Sequence, residues 1–173
     1  MITKPAKYEG RTRDITQADL SKPARGDVVI GASEVQLVRR FEIAASAGRG
    51  KLIPDEQSAD NIAFTREWLL RHGINGDLAG LIKVEGDSMS PTIRNGSLAL
   101  IHFAEKTIVN GNMYAFTLND ELFIKRLAVL GSEDDIRLLI TSDNPNYPPK
   151  TIEGSEAQSI FISGRVRAVI SEI

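Results

Sequence analysis

One stretch of the chain, Val84-Glu85-Gly86-Asp87-Ser88-Met89-Ser90-Pro91-Thr92-Ile93-Arg94-Asn95-Gly96, sets a hydroxyl where it can act as a nucleophile. A strand is predicted to end at Gly86 and a short helix to begin at Ser90 or Pro91. Serine is favoured as a helix N-cap and proline at the first helical position. Asn95-Gly96 then ends the helix and turns the chain. Ser88 lies in the tight connection, where a side chain is exposed and backbone N–H groups can converge on an anion, as an oxyanion hole requires. A loop serine hydrogen-bonded to its own backbone would occupy the same sequence position.

Lys125 supplies a chemical partner. It falls within Glu121-Leu122-Phe123-Ile124-Lys125-Arg126-Leu127-Ala128-Val129. With a period of two, Phe123, Lys125, Leu127 and Val129 share one strand face, and an apolar face points inward. A lysine there either snorkels to solvent or gives up its proton, because a buried ammonium is costly. A neutral amine can take the proton of a serine hydroxyl, which is the activation that weak nucleophile needs. His72 and His102 have no third partner in the sequence, which argues against a serine–histidine triad. The chain has no cysteine, so a thiol nucleophile, a disulfide framework and a Cys-based zinc site are excluded. No phosphate-binding loop or metal-ligand spacing occurs, and no cofactor is implied.

Together, Gly86-Asp87-Ser88-Met89-Ser90-Pro91-Thr92 and Phe123-Ile124-Lys125-Arg126, with serine and lysine 37 residues apart, resemble the LexA-type serine–lysine peptidases. That family includes LexA, phage CI-like repressors and UmuD. The resemblance covers roughly residues 39–173. It extends to Ser142-Asp143-Asn144-Pro145-Asn146-Tyr147-Pro148 and to Ile162-Ser163-Gly164-Arg165-Val166, both similar to phage-repressor C-terminal domains. It implies that Ser88 is the nucleophile and Lys125 its general base, with the backbone N–H groups of Asp87 and Ser88 lining the oxyanion hole. Members of the family cut their own chain upstream of the serine at an Ala-Gly or Cys-Gly bond, and Ala47-Gly48 matches that pattern. A flexible Gly-Ala hinge is the alternative reading of those residues. The resemblance further implies a homodimer, for which the apolar closing strand at 160–173 is the expected interface, and a RecA–single-stranded DNA filament as the trigger on DNA damage. Two other functions share the pattern: a non-cleaving dimerisation module of a repressor, and a UmuD-like protein of DNA-damage tolerance. A type I signal peptidase also uses Ser-Met and a Lys-Arg strand, but it needs a membrane anchor.

The elements that must position this pair read as a mostly β fold, a partly barrel-shaped antiparallel sheet with one or two short helices. Strands are predicted at 81–84, 98–103, 113–118, 122–130, 136–141 and 160–170, separated by turns such as Asn110-Gly111 and Asn119-Asp120. Residues 64–72 read as an amphipathic helix stopped by Gly73, with Trp68 as a packing anchor. Residues 35–173 form the peptidase-like domain, carrying the cleavage segment near 44–50. Residues 1–34 read as a linker or tail in which 27–30 could be a short strand, too short for a helix-turn-helix. DNA contact is therefore expected only through a helix-turn-helix domain outside this chain.

Net charge is −2, with hydrophobic residues at 42% and charged residues at 25%, a globular balance that excludes the chain as a whole as an electrostatic partner of nucleic acid. The longest purely apolar run is about five residues, against the roughly 20 that span a bilayer, and no secretory signal is expected. A cytoplasmic protein with no membrane contact is expected.

Overall fold

The computed structural model describes residues 28–30, 33–44, 51–54, 61–131 and 135–171. Strand β1 (Val28–Ile30) pairs antiparallel with the twelve-residue β2 (Ser33–Ala44). β2 is long enough to serve two sets of partners. Its first half pairs with β4 (Ile62–Thr65), and its second half forms a hairpin with β3 (Lys51–Pro54).

Helix α1 spans Arg66–Arg71 and starts at Thr65, whose side chain accepts from the Trp68 N–H. Gly73, at φ +64°, stops it, while the Ile74 and Gly73 N–H groups return to the carbonyls of Leu69 and Leu70. The predicted helix over 64–72 was therefore two residues too long at its start. Phe64 belongs to β4, because its neighbours pair with β2, and it reaches α1 only by stacking on Trp68 at 5.3 Å.

After a 3-10 turn at Gly76–Leu78 come β5 (Ala79–Lys83), β6 (Leu98–His102), β7 (Met113–Leu118), β8 (Glu121–Leu130) and β9 (Arg137–Thr141). The chain closes with β10 (Lys150–Glu153), helix α2 (Gly154–Ser159) and β11 (Phe161–Ile170). The order is β1-β2-β5-β6-β11-β7-β8-β9-β10, with β3 and β4 attached to β2. The fold is mostly β, with two short α-helices among the described residues, as the sequence predicts. Among the described residues every strand pair is antiparallel except β2 with β5, which the intervening β3, β4 and α1 allow to run parallel.

Asn119 and Asp120 both take positive φ, 51° and 64°, and so make the two-residue turn that joins β7 to β8. β3, β10 and α2 were not legible in the sequence. β10 buries only Ile152 and α2 only Ala157, so neither carries a periodic apolar signal.

β8 lies between two apolar layers. Leu127 and Val129 join Tyr114, Phe116, Leu138 and Ile160 on one face, while Leu122 and Ile124 pack on the opposite layer with Met89, Ile93 and Ile101. β11 pairs with β7 through residues 161–165 and with β6 through residues 165–170, so it links the two strands end to end.

Candidate active site

Lys125 lies on β8 on the same face as Leu127 and Val129, directly across from Tyr114 on β7. Arg126 pairs with Thr141, so the residue after Thr141, Ser142, comes opposite Lys125. There the Lys125 Nζ donates to Ser142 Oγ at 2.8 Å. The amine also lies 5.3 Å from the centre of the Tyr147 ring. Burial pulls the Lys125 pKa below its ordinary value, because the ammonium loses solvation; the Asp87 carboxylate pulls it back up.

Ser88 follows β5 in a loop that begins with Gly86, at φ +89°. The predicted helix from Ser90 is absent. Residues 88–92 form turns instead, with a cis bond at Ser90-Pro91 and single-turn bonds from Ser90 N to Asp87 O and from Ile93 N to Met89 O. Tertiary contacts hold this loop: the Asn144 side-chain amide donates to Asp87 O at 3.1 Å, and the Asn144 backbone N–H donates to Ser88 O at 3.1 Å. Met89 and Ile93 anchor the loop in the core, 2% and 0% exposed. Among the described residues, the N–H groups of Asp87 and Ser88 donate to no backbone acceptor.

The turn at 142–147 thus touches both halves of the candidate pair. Asp143 accepts from Arg126 Nε at 2.6 Å and from Nη2 at 2.8 Å, and it also accepts from Thr92 of the serine loop. The Arg126 hydrogen bonds hold the Asp143 carboxyl below the ordinary carboxylate range, with burial opposing and Thr92 assisting. Asn144 is buried and accepts from the Asn146 N–H at 3.0 Å, so Asp143 and Asn144 shape a turn. They also tie the turn to the strand and to the serine loop.

The sequence assigned no partner to Ser142, Tyr147 or Arg126. A pairing signal existed in the adjacent Lys125-Arg126, which needs two polar counterparts on the next strand, but the hairpin register that supplies them was not readable. The sequence assigns no partner to the Asp87 carboxylate either. Asp87 is exposed by area, yet its carboxylate accepts from Tyr147 Oη at 2.5 Å and from Asn144 Nδ2 at 3.3 Å.

The two histidines lie apart from this cluster. His72 stacks on Trp68 at 4.1 Å, and His102 bonds Glu105 at 2.8 Å. Ala47 and Gly48 lie outside the described residues, in the connection between β2 and β3. Because β2 runs parallel to β5, with Phe41 beside Ile82, the two strands leave their pairing in the same direction. One continues into the hairpin with β3, the other towards Ser88. Among the described residues no group of three or more His, Asp or Glu could hold a metal ion, and no helix is long and apolar enough to cross a membrane.

A family profile described as peptidase S24-like matches residues 35–167. The chain is 26% identical over 129 residues to a repressor protein CI of Enterobacteria phage phi80, covering 73% of this chain and 53% of the relative. It is 28% identical over 139 residues to an uncharacterized HTH-type transcriptional regulator of Haemophilus influenzae, covering 79% and 55%. The HTH-type transcriptional regulator PrtR of Pseudomonas aeruginosa is 28% identical over 103 residues, covering 60% and 40%. The chain spans about half the length of the curated relatives it matches.

Proposed function

The chain belongs to the peptidase S24-like family, and on that premise we propose that it is the self-cleaving serine–lysine peptidase domain of a phage-type or SOS transcriptional repressor. One observation carries the reading. The half-buried Lys125 amine is held by Ser142, on the same turn whose Asn144 binds the carbonyl of Ser88.

In the proposed reaction, neutral Lys125 removes the Ser88 proton as Oγ attacks the Ala47 carbonyl. The N–H groups of Asp87 and Ser88 receive the oxyanion. The protonated lysine then gives its proton to the Gly48 amine as the Ala47-Gly48 bond breaks, leaving an acyl-enzyme that water hydrolyses. Burial of Lys125 supports the base role, since it favours the uncharged amine. Attacker and target share one chain, so the local concentration of the target is high and the reaction needs restraint. A RecA–single-stranded DNA filament is the proposed trigger. DNA contact is assigned to a helix-turn-helix segment of the kind named in the relatives, and dimerisation to the face of β11.

The test is incubation of the purified chain at mildly alkaline pH beside Ser88→Ala and Lys125→Ala, read by mass spectrometry. Fragments 1–47 and 48–173 from the wild type alone are the expected result. The rate should rise with pH as Lys125 loses its proton. A wild type that stays intact with and without an active RecA filament would instead support the non-cleaving dimerisation module, which the similarity to repressors also accommodates.

A further inference from the structure

Asp87 is adjacent to Ser88, yet the proposed reaction uses only its backbone N–H. Its carboxylate is nevertheless fixed in place. Tyr147 Oη donates to Oδ1 at 2.5 Å and Asn144 Nδ2 donates to Oδ2 at 3.3 Å, while the same Asn144 amide holds the Asp87 carbonyl at 3.1 Å. The Tyr147 ring that holds Asp87 on its hydroxyl edge also has the Lys125 amine 5.3 Å from its centre. One tyrosine therefore spans the interval between an anion and the candidate base.

The groups facing Lys125 can be named by element. β7 offers Tyr114, whose hydroxyl is engaged by Val109 N and Thr107 O. The turn after β9 offers Ser142 and Tyr147, and the loop after β5 offers Asp87. The other nearby carboxylate, Asp143, is bound bidentately by Arg126. Asp87 is thus the negative charge acting on Lys125, and it favours the ammonium over the free amine while burial favours the reverse.

We propose that Asp87, clasped by Tyr147 and Asn144, is a positioning residue that acts as an electrostatic brake on the Ser88–Lys125 pair. This inference rests on the peptidase reading above. The clasp opposes the loss of the lysine proton that burial favours, and any movement of the 142–147 turn that parts Tyr147 from Asp87 weakens that opposition. Tyr147 suits a releasable contact because it is 42% exposed.

The experiment has two independent readouts on the full chain. The first is the titration of the Lys125 side chain by carbon NMR, in a Ser88→Ala background so that no cleavage intervenes, with and without Asp87→Asn. The midpoint should move to lower pH with asparagine and return with Asp87→Glu. The second is the self-cleavage rate near neutral pH, which should rise about three- to tenfold in Asp87→Asn, the scale of one screened unit charge, with its pH profile displaced towards acid. Tyr147→Phe should move both readouts in the same direction by less, and it serves in place of Asp87→Asn if that variant does not fold. A lysine midpoint unmoved by these changes would overturn the proposal, and so would a slower Asp87→Asn. A displaced midpoint in a chain that never cleaves would leave the brake standing and sink the peptidase reading instead.

Discussion

Replacing Asp143 with asparagine tests the turn that holds the site together. The carboxylate receives two charge-assisted bonds from Arg126, at 2.6 and 2.8 Å, and a third from Thr92. Bonds to an ionised group contribute about 1.5–3 kcal/mol each when well buried. Here the Asp143 side chain is 12% exposed and Arg126 is 36% exposed, so solvent weakens the pair. Asparagine also keeps one acceptor, and Arg126 keeps its bond to Gly111 O at 2.8 Å. The expected loss is therefore about 1–2 kcal/mol, or roughly 2–8 °C in Tm for a chain of this size.

The pH dependence has a definite sign. Asp143 is held below its ordinary value of 3.8, so its contribution is present above that value and is lost as pH falls through the lower folded value. The gap between wild type and variant in urea unfolding should be constant from about pH 7 to 5 and narrow below about pH 4. Self-cleavage should slow roughly ten- to hundredfold in the still-folded variant, because Ser142 and Asn144 flank the lost anchor and small displacements of reacting groups are costly. A stability loss below about 0.5 kcal/mol, a gap that persists undiminished in acid, or a wild-type cleavage rate would refute the reasoning.

Two further predictions concern the scaffold. Tyr114 is fully buried, and its hydroxyl donates to Thr107 O at 3.0 Å while accepting from Val109 N at 2.9 Å. Tyr114→Phe strands both partners and should lower unfolding free energy by about 1–3 kcal/mol in urea titration; an unchanged midpoint would mean that the hydroxyl anchors nothing. Gly164 lies at the register shift of β11, where an added Cβ would come within 2.5 Å of the His102 carbonyl oxygen. Gly164→Ala should therefore cost about 3 kcal/mol or more by calorimetry, since a backbone atom cannot swing aside. A wild-type Tm would show that β6 and β11 can part without penalty.

The candidate chemistry was legible because it is written in short, local patterns. Ser88 between a strand end and Pro91, and Lys125 among alternating apolar residues, could be singled out before any fold was known. Strands β5 to β9 and β11 were legible for the same reason, since each carries an apolar run or alternation bounded by turn residues. β10 and α2 were not, because each contributes one buried side chain.

The sequence by itself determined the residue types, their order, the mostly β architecture and the family resemblance. Only the tertiary structure decided what surrounds the pair. That Ser142 meets Lys125 depends on the β8–β9 register, and that Tyr147 reaches Asp87 depends on a turn 60 residues away in the chain. The serine loop is pinned from about as far away in the chain, by Asn144 on the carbonyls of Asp87 and Ser88. Local propensity is additive along the chain, whereas hydrogen-bond partners across a sheet follow from register and closure, which no short segment encodes.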